Sequence, residues 1–406
     1  MERSALEAHW MPFTGNRQFK ANPRMFVSAQ GAYYTDDKGQ KVFDGLSGLW
    51  CTGLGHARKE IVEAVQKQVA TLDYAPAFQF GHPASFELAN KIKELTPAGL
   101  DYVFFCGSGS EAADTSLKIA RAYWRAKGQG TKTLLIGREK GYHGVNFGGI
   151  SVGGIAGNRK VYGQAVAADH IAHTQLALTT PSAAFTRGQS KTGVELADDL
   201  LRLITLHDAS NIAAVIVEPM AGSAGVIPPP VGYLQRLREI CTKHDILLTF
   251  DEVITAFGRV GAYTGAEAFG VTPDILNFAK QSTNGVQPLG GIVAQKFIYD
   301  AFMAAGGPEY MLELAHGYTY SAHPVACAAG IAALDLLVKD NAVAKVKELA
   351  PYFEDKVHSL KAAKHVTYIR TFCLASGLTL AARGAEPAVP PFEVAMKCLA
   401  AGLYVR

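Results

Sequence analysis

Residues 246–280 read ILLTFDEVITAFGRVGAYTGAEAFGVTPDILNFAK, and two strands inside that stretch decide the fold. Ile246 to Phe250 is a short, mostly apolar run, broken only by Thr249, that stops at Asp251, and Ile275 to Ala279, broken only by Asn277, is a second that stops at Lys280. Near-continuous apolar runs of this length, too short for helices and bounded by polar residues, read as strands buried on both faces of a parallel sheet. Such sheets hold their ligands beyond the carboxyl ends of the strands. Asp251 and Lys280 stand at two such ends.

Working outward, the same alternation continues. Tyr102 to Cys106, Leu134 to Ile136 and Ile212 to Val217 are expected strands, and Glu111 to Ala126 and Tyr233 to His244 are expected helices. Strands alternating with helices predict an α/β fold with a mainly parallel sheet flanked by helices. Upstream, Gly31 to Asp44 alternates about a turn at Asp37-Lys38-Gly39 and reads as a hairpin, and Ile61 to Leu72 has helical spacing. The Ser-, Thr- and Gly-rich stretch from Thr179 to Gly193 reads as a loop. Downstream, a small-residue helix over Pro324 to Val338 starts with proline at its first turn. A charged helical region over Ala342 to Leu360, interrupted at Pro351, a strand near Val366 to Thr371 and a helix near Phe392 to Ala401 complete the chain.

Composition sets the class. The chain has 406 residues, 49% of them hydrophobic and 18% charged, an ordinary globular balance. Lys plus Arg number 39 against 36 Asp plus Glu, with no basic run, so nucleic acid is not indicated. No apolar run reaches membrane-helix length, and the start resembles no signal peptide. The six cysteines are scattered without a C-x-x-C pair, which argues against zinc and fits reduced thiols in a cytoplasm.

Four features bear chemistry. Gly107-Ser108-Gly109-Ser110-Glu111, between a strand and a helix, suits a phosphate: glycines admit the anion, and the helix start offers N–H donors. A plain tight turn with Ser110 as N-cap accounts for it equally well. Asp251, after an apolar strand, needs a partner to offset desolvation, and a protonated pyridine nitrogen is one; a structural ion pair is another. Lys280, at a strand end, would have a desolvated amine, as a Schiff-base lysine requires, although a surface lysine is commoner. Gly141-Tyr142-His143-Gly144 presents two aromatic rings on a loop, for stacking or for packing. Taken together, the four describe one ligand with a phosphate, a basic aromatic ring and an aldehyde.

These motifs, with Val217 to Gly222 (VEPMAG), Thr249 to Gly261 (TFDEVITAFGRVG), Phe278 to Gly285 (FAKQSTNG) and Gly317 to Pro324 (GYTYSAHP), resemble the class III aminotransferases, fold-type I pyridoxal-phosphate enzymes. Within them the chain is most similar to ω-amino acid (β-alanine):pyruvate aminotransferases, through residues 48–51 (GLWC), 142–149 (YHGVNFGG) and 403–406 (LYVR). The resemblance implies a large domain with a seven-stranded sheet over residues 61–323. It implies a small α+β domain built from residues 1–60 and 324–406, with further strand and helix after Arg406. It implies pyridoxal 5'-phosphate as cofactor, amine donor and keto acid as substrates in ping-pong order, and a homodimer or dimer of dimers with sites at the subunit interface.

The same resemblance implies roles for single residues. Ser108, Gly109 and Ser110 would bind the phosphate. Tyr142 and His143 would sit at the ring, Asp251 on its nitrogen, Val253 on its opposite face and Glu218 close by. Lys280 would hold the aldehyde, and Thr319 would reach the neighbouring subunit's phosphate. Phe13, Trp50, Phe78 and Ser223 would line substrate pockets, and Arg406 would hold a substrate carboxylate. Two rivals fit the same motifs: a class III enzyme with another donor (4-aminobutyrate, ornithine or diaminopelargonate), and a cofactor-binding but inactive homologue. A nucleotide site fits poorly, since Gly107 to Ser110 lacks the P-loop Lys-Ser/Thr.

Overall fold

The computed structural model describes residues 3–176, 180–385 and 387–406. The start of the expected loop, at Thr179, lies outside them; Pro181–Phe185 forms a 3₁₀ turn. The chain divides into two compact units. The larger comprises Trp50–Leu54 and Lys59–Ala381, and the smaller comprises the residues up to Leu49, Gly55–Arg58 and Ala382–Arg406.

The larger unit is built on seven strands: β1 (Leu100–Cys106), β2 (Leu134–Arg138), β3 (Ala168–Ile171), β4 (Ile212–Val217), β5 (Leu247–Asp251), β6 (Ile275–Phe278) and β7 (Gly290–Gln295). Their order is β1-β7-β6-β5-β4-β2-β3. All neighbouring pairs are parallel except those made by β7, which runs against both β1 and β6. The central strands are buried at every position, so both faces must be apolar, and alternate residues serve two cores. Val215, Val217, Leu248, Phe250, Leu276 and Phe278 face one core, and Ala214, Ile216, Leu247 and Ile275 face the other. The second core lies under helix α1 (Gly109–Ala126), whose Ala112, Leu117, Ala120 and Trp124 form its inner stripe.

Strand β7 begins with two glycines because it must pass close to its neighbours. A Cβ at Gly290 would lie 2.6 Å from the Ser108 carbonyl oxygen, and one at Gly291 would lie 2.6 Å from the Phe104 carbonyl oxygen. Helix Pro324–Lys339 also belongs to this unit. Its Cys327, Leu334 and Leu337 enter the first core, and a Cβ at Gly330 would touch Leu88 at 3.0 Å. The boundary between units therefore falls after Ala381, which differs from the expected division after residue 323. The expected interruption at Pro351 is also corrected: Ala342–His358 runs as one helix with Pro351 inside it.

The smaller unit holds strands Phe26–Gln30, Tyr33–Asp36, Lys41–Asp44 and Leu403–Tyr404 in that order. The expected hairpin is present, with Tyr33 opposite Phe43. Tyr34 stacks on Phe26 at 4.3 Å between ring centroids. Among the described residues no helix is long and apolar enough to cross a membrane.

Candidate active site

The ends of β1, β4, β5 and β6 converge on a cavity of about 160 Å³ lined by Ser108, Gly109, Ser110, Tyr142, Gly144, Glu218, Asp251, Val253, Ile254 and Lys280. A larger hollow of about 360 Å³, around Trp124, Arg238 and Asp245, gathers none of the expected site residues. Chemistry rather than volume singles out the first.

At one wall, α1 begins with Ser108 as N-cap, its Oγ accepting from the Glu111 N–H at 3.2 Å. Glu111 returns a carboxylate oxygen to the Gly107 N–H at 2.6 Å, close to a capping box. Ser108 thus takes the capping role considered for Ser110. Ser110 Oγ instead accepts from the Val145 N–H at 3.1 Å, fastening the loop that follows Tyr142 and His143. A Cβ at Gly109 would meet Val253 at 2.9 Å, so glycine there leaves Val253 free to cover the cavity floor. An eighteen-residue helix ending in serine hydroxyls and open N–H groups is an anion cradle.

Opposite it stand the charged groups. Asp251 is buried; its Oδ2 accepts from His143 Nδ1 at 2.7 Å and its Oδ1 from the Val253 N–H at 3.3 Å. His143 lies behind Asp251 rather than in the cavity lining. Glu218 accepts from the Tyr142 and Gly222 N–H groups, each at 2.9 Å, so it shapes the loop that presents Tyr142. Burial pushes the Glu218 carboxyl above its ordinary range. Burial also lowers the Lys280 ammonium pKa, against the pull of Cys51, Asp251 and Glu218. Lys280 occupies left-handed backbone at φ 51°, a strained conformation for a non-glycine residue at a reactive position.

The family model for aminotransferase class-III matches residues 15–406. A beta-alanine–pyruvate aminotransferase of Pseudomonas aeruginosa is 62% identical over 402 residues, covering 99% of this chain and 89% of its own. An omega-amino acid–pyruvate aminotransferase of Pseudomonas putida is 59% identical over 403 residues, with the same coverage of 99% and 89%. Among solved structures, an (S)-enantioselective omega-transaminase from Thermomicrobium roseum matches with a TM-score of 0.90 at 31% identity, covering 99% of this chain and 90% of its own. The chain belongs to the class III aminotransferase family.

Not every expected site residue of this aminotransferase meets at the cavity. Thr319 does not line it; its carbonyl accepts from the Tyr74 hydroxyl at 2.9 Å. Phe78 is largely exposed, and a Cβ at Gly317 would lie 2.8 Å from its ring. Ser223 is exposed on the loop closed by the Ala221–Ile227 bridge. Trp50 does not line the cavity; it packs against the cluster of Met220, Val226, Ile254, Val260 and Ala375, one member of which, Ile254, is in the lining. Phe13 and Arg406 belong to the smaller unit.

Ile254 and Gly144 line the cavity without having been singled out. Both sat inside quoted motifs, and the signal for Gly144 is its positive φ of 86°, which a sequence does not display. Sequence reasoning also had no means of pairing His143 with Asp251, since 108 residues separate them.

Proposed function

We propose that the chain is a pyridoxal 5'-phosphate-dependent transaminase that moves the amino group of an ω-amino acid, β-alanine or a like amine, to pyruvate. One observation carries the reading: an anion cradle, a buried carboxylate and a desolvated amine line a single cavity at the strand ends. That donor set matches a phosphate, a pyridine nitrogen and an aldehyde. When bound, the cofactor supplies an electrophilic carbonyl and an electron sink.

The chain's own residues do the rest. Ser108, Gly109 and Ser110 would hold the phosphate as a fixed anchor. Asp251, kept in place by His143, would hold a proton on the ring nitrogen. Tyr142 and Val253, which line the cavity, would pack against the ring, and Glu218 sets the Tyr142 loop. Lys280 Nζ, poorly solvated as an ammonium ion, is suited to hold the aldehyde. As a free amine, Nζ would take the proton from the amine-bearing carbon of the substrate and, as the ammonium so formed, give it up to the cofactor's aldehyde carbon. Donor and keto acid use the same cavity in turn, hence ping-pong order.

Trp50 and Phe78 would give an uncharged pocket for the reacting end, with Ser223 at its edge. By the family resemblance, Phe13 would also contact substrate, and Arg406 would be a bidentate partner for a substrate carboxylate. The substrate choice is supported by the two relatives at 62% and 59% identity, which are a beta-alanine–pyruvate and an omega-amino acid–pyruvate aminotransferase.

A homodimer or dimer of dimers is part of this reading, with Thr319 serving the neighbouring subunit's phosphate. Its support is that Thr319 is absent from this chain's own cavity and that Phe80, Tyr310, Leu312 and Tyr320 are more than half exposed, an apolar surface that favours cover. A cytoplasmic location accords with six cysteines that form no disulfide among the described residues.

Borohydride reduction followed by peptide mapping tests the site, and donor kinetics test the substrate. The pyridoxyl mark is expected on Lys280, and β-alanine is expected to outpace ornithine. A mark on another lysine, or activity confined to ornithine, would overturn the assignment.

A further inference from the structure

The turn that carries Lys280 is not held by the sheet alone. Residues 280–283 form a 3₁₀ turn that leaves β6. Its first residue, Lys280, and the residue that caps it, Asn284, are both left-handed at φ 51°. Non-glycine residues adopt this conformation at a cost and keep it only where the surroundings enforce it. The enforcing element is Trp50–Leu54, a segment far away in sequence but part of the same compact unit.

Two hydrogen bonds join the two. The Gly53 N–H donates to Gln281 Oε1 at 2.7 Å, and the Leu54 N–H donates to Asn284 Oδ1 at 3.1 Å. Both acceptor side chains are buried, with Gln281 5% and Asn284 2% exposed. Two glycines clear the approach: a Cβ at Gly53 would stand 2.7 Å from Gln281 Oε1, and one at Gly285 would stand 3.0 Å from Cys51 Cβ. At the head of the segment, Trp50 packs against the apolar cluster that includes Ile254 of the cavity lining, and the Arg259 guanidinium lies 5.5 Å from its ring centroid.

We propose that Gln281 and Asn284 are positioning residues that set donor selectivity by tying the Trp50–Leu54 segment to the turn bearing Lys280. The inference rests on the transaminase reading above and deepens it. The donor is an amine whose reacting carbon must lie within reach of Lys280 Nζ while its adjoining group packs toward Trp50. The distance between lysine and indole is therefore a ruler for the size of that group, and the two amide oxygens fix the ruler. Neither residue touches the reacting atoms. A displacement of about 1 Å in such an arrangement is enough to change rates by roughly a hundredfold.

The test uses the cofactor-loaded enzyme and single turnovers of the donor half-reaction, followed by cofactor absorbance, with β-alanine and with 1-phenylethylamine. In Gln281→Met the Gly53 N–H loses its acceptor. The ratio of the two donors' maximal rate over dissociation constant is expected to move by roughly tenfold, mainly in the dissociation constants, the effect of one lost buried hydrogen bond. Asn284→Gly removes the second acceptor without disturbing a backbone already at positive φ, and is expected to shift the ratio the same way. Gln281→Glu retains an oxygen acceptor and is expected to keep the ratio within about twofold of wild type.

A lower melting temperature with an unchanged donor ratio would reduce both residues to structural props and sink the proposal. If Gln281→Met fails to fold, Asn284→Gly decides alone. A wild-type enzyme inert toward both amines refutes the transaminase reading itself, and this inference with it.

Discussion

His143 Nδ1 stands 2.7 Å from Asp251 Oδ2, with both side chains closed off from solvent. The imidazole and the carboxylate therefore act as one unit, the first orienting the second. Asp251→Ala is expected to lower kcat/KM by about a hundredfold or more, the scale of losing one preorganised electrostatic partner. His143→Leu should cost about tenfold. Because His143 works through Asp251, the double variant should be no worse than Asp251→Ala alone. Additive losses in a double-mutant cycle would show that His143 has a separate task.

Lys280 gives a stability prediction with a definite sign. Its folded pKa lies below that of the unfolded chain because burial penalises the ammonium. The cofactor-free fold therefore bears no penalty above the ordinary lysine value of 10.5. The penalty grows as pH falls below that value and levels off below the lowered folded pKa. Cofactor-free Lys280→Met should accordingly be more stable than cofactor-free wild type at pH 7, and the gap should close as pH approaches 10.5. Urea melts at several pH values measure it; a pH-independent gap would contradict the desolvation.

The sheet and its chemistry were legible in the sequence to different depths. Buried parallel strands announce themselves as apolar runs, so β4, β5 and β6 and the charged residues at their ends could be read directly. Strand β7 could not: its opening Gly290-Gly291 looks like a breaker, and the reason for it is the crowding of the Phe104 carbonyl on β1 and the Ser108 carbonyl in the turn that follows it. Strand β3, only four residues long with Asp169 and His170 in its middle, shows no apolar run to read. The Ser108–Ser110 cradle was legible as a motif, but which serine caps the helix depended on the loop that bonds Ser110. Long-range pairings such as Gly53 with Gln281 leave no trace in local pattern, because a buried glutamine looks like any other until its partner is in place.

Gly144 is a sharp test of the cradle. Its φ is 86°, and a Cβ there would lie 2.4 Å from Ser110 Oγ. Gly144→Ala must either push Ser110 away or break the Val145–Ser110 hydrogen bond. Cofactor affinity is expected to fall roughly tenfold or more, with left-handed strain adding about 1 kcal/mol of instability. Titration of the variant with cofactor measures the first effect and a thermal melt the second. Wild-type affinity would remove Ser110 from the phosphate site.

Glu252, next to Asp251 but turned from the cavity, makes the last case. It is fully buried and accepts from the Ala266 N–H at 2.7 Å, the Thr255 hydroxyl at 2.9 Å and the Gly265 N–H. Burial outweighs those bonds and pushes its carboxyl up to about 7 from 4.5. A raised carboxyl pKa favours the fold while the group is protonated, so its contribution is complete below pH 4.5 and is lost as pH rises to about 7. The full change is roughly 3 kcal/mol, at about 1.4 kcal/mol per pKa unit. Glu252→Gln has no proton to lose, so its stability should show no such slope, although its amide N–H₂ must face one of three donors and lower the plateau at every pH. Unfolding free energies of the two proteins should therefore converge as pH rises from 4.5 to 7. Parallel curves would mean that Glu252 stays ionised in the fold and that its three donors outweigh burial.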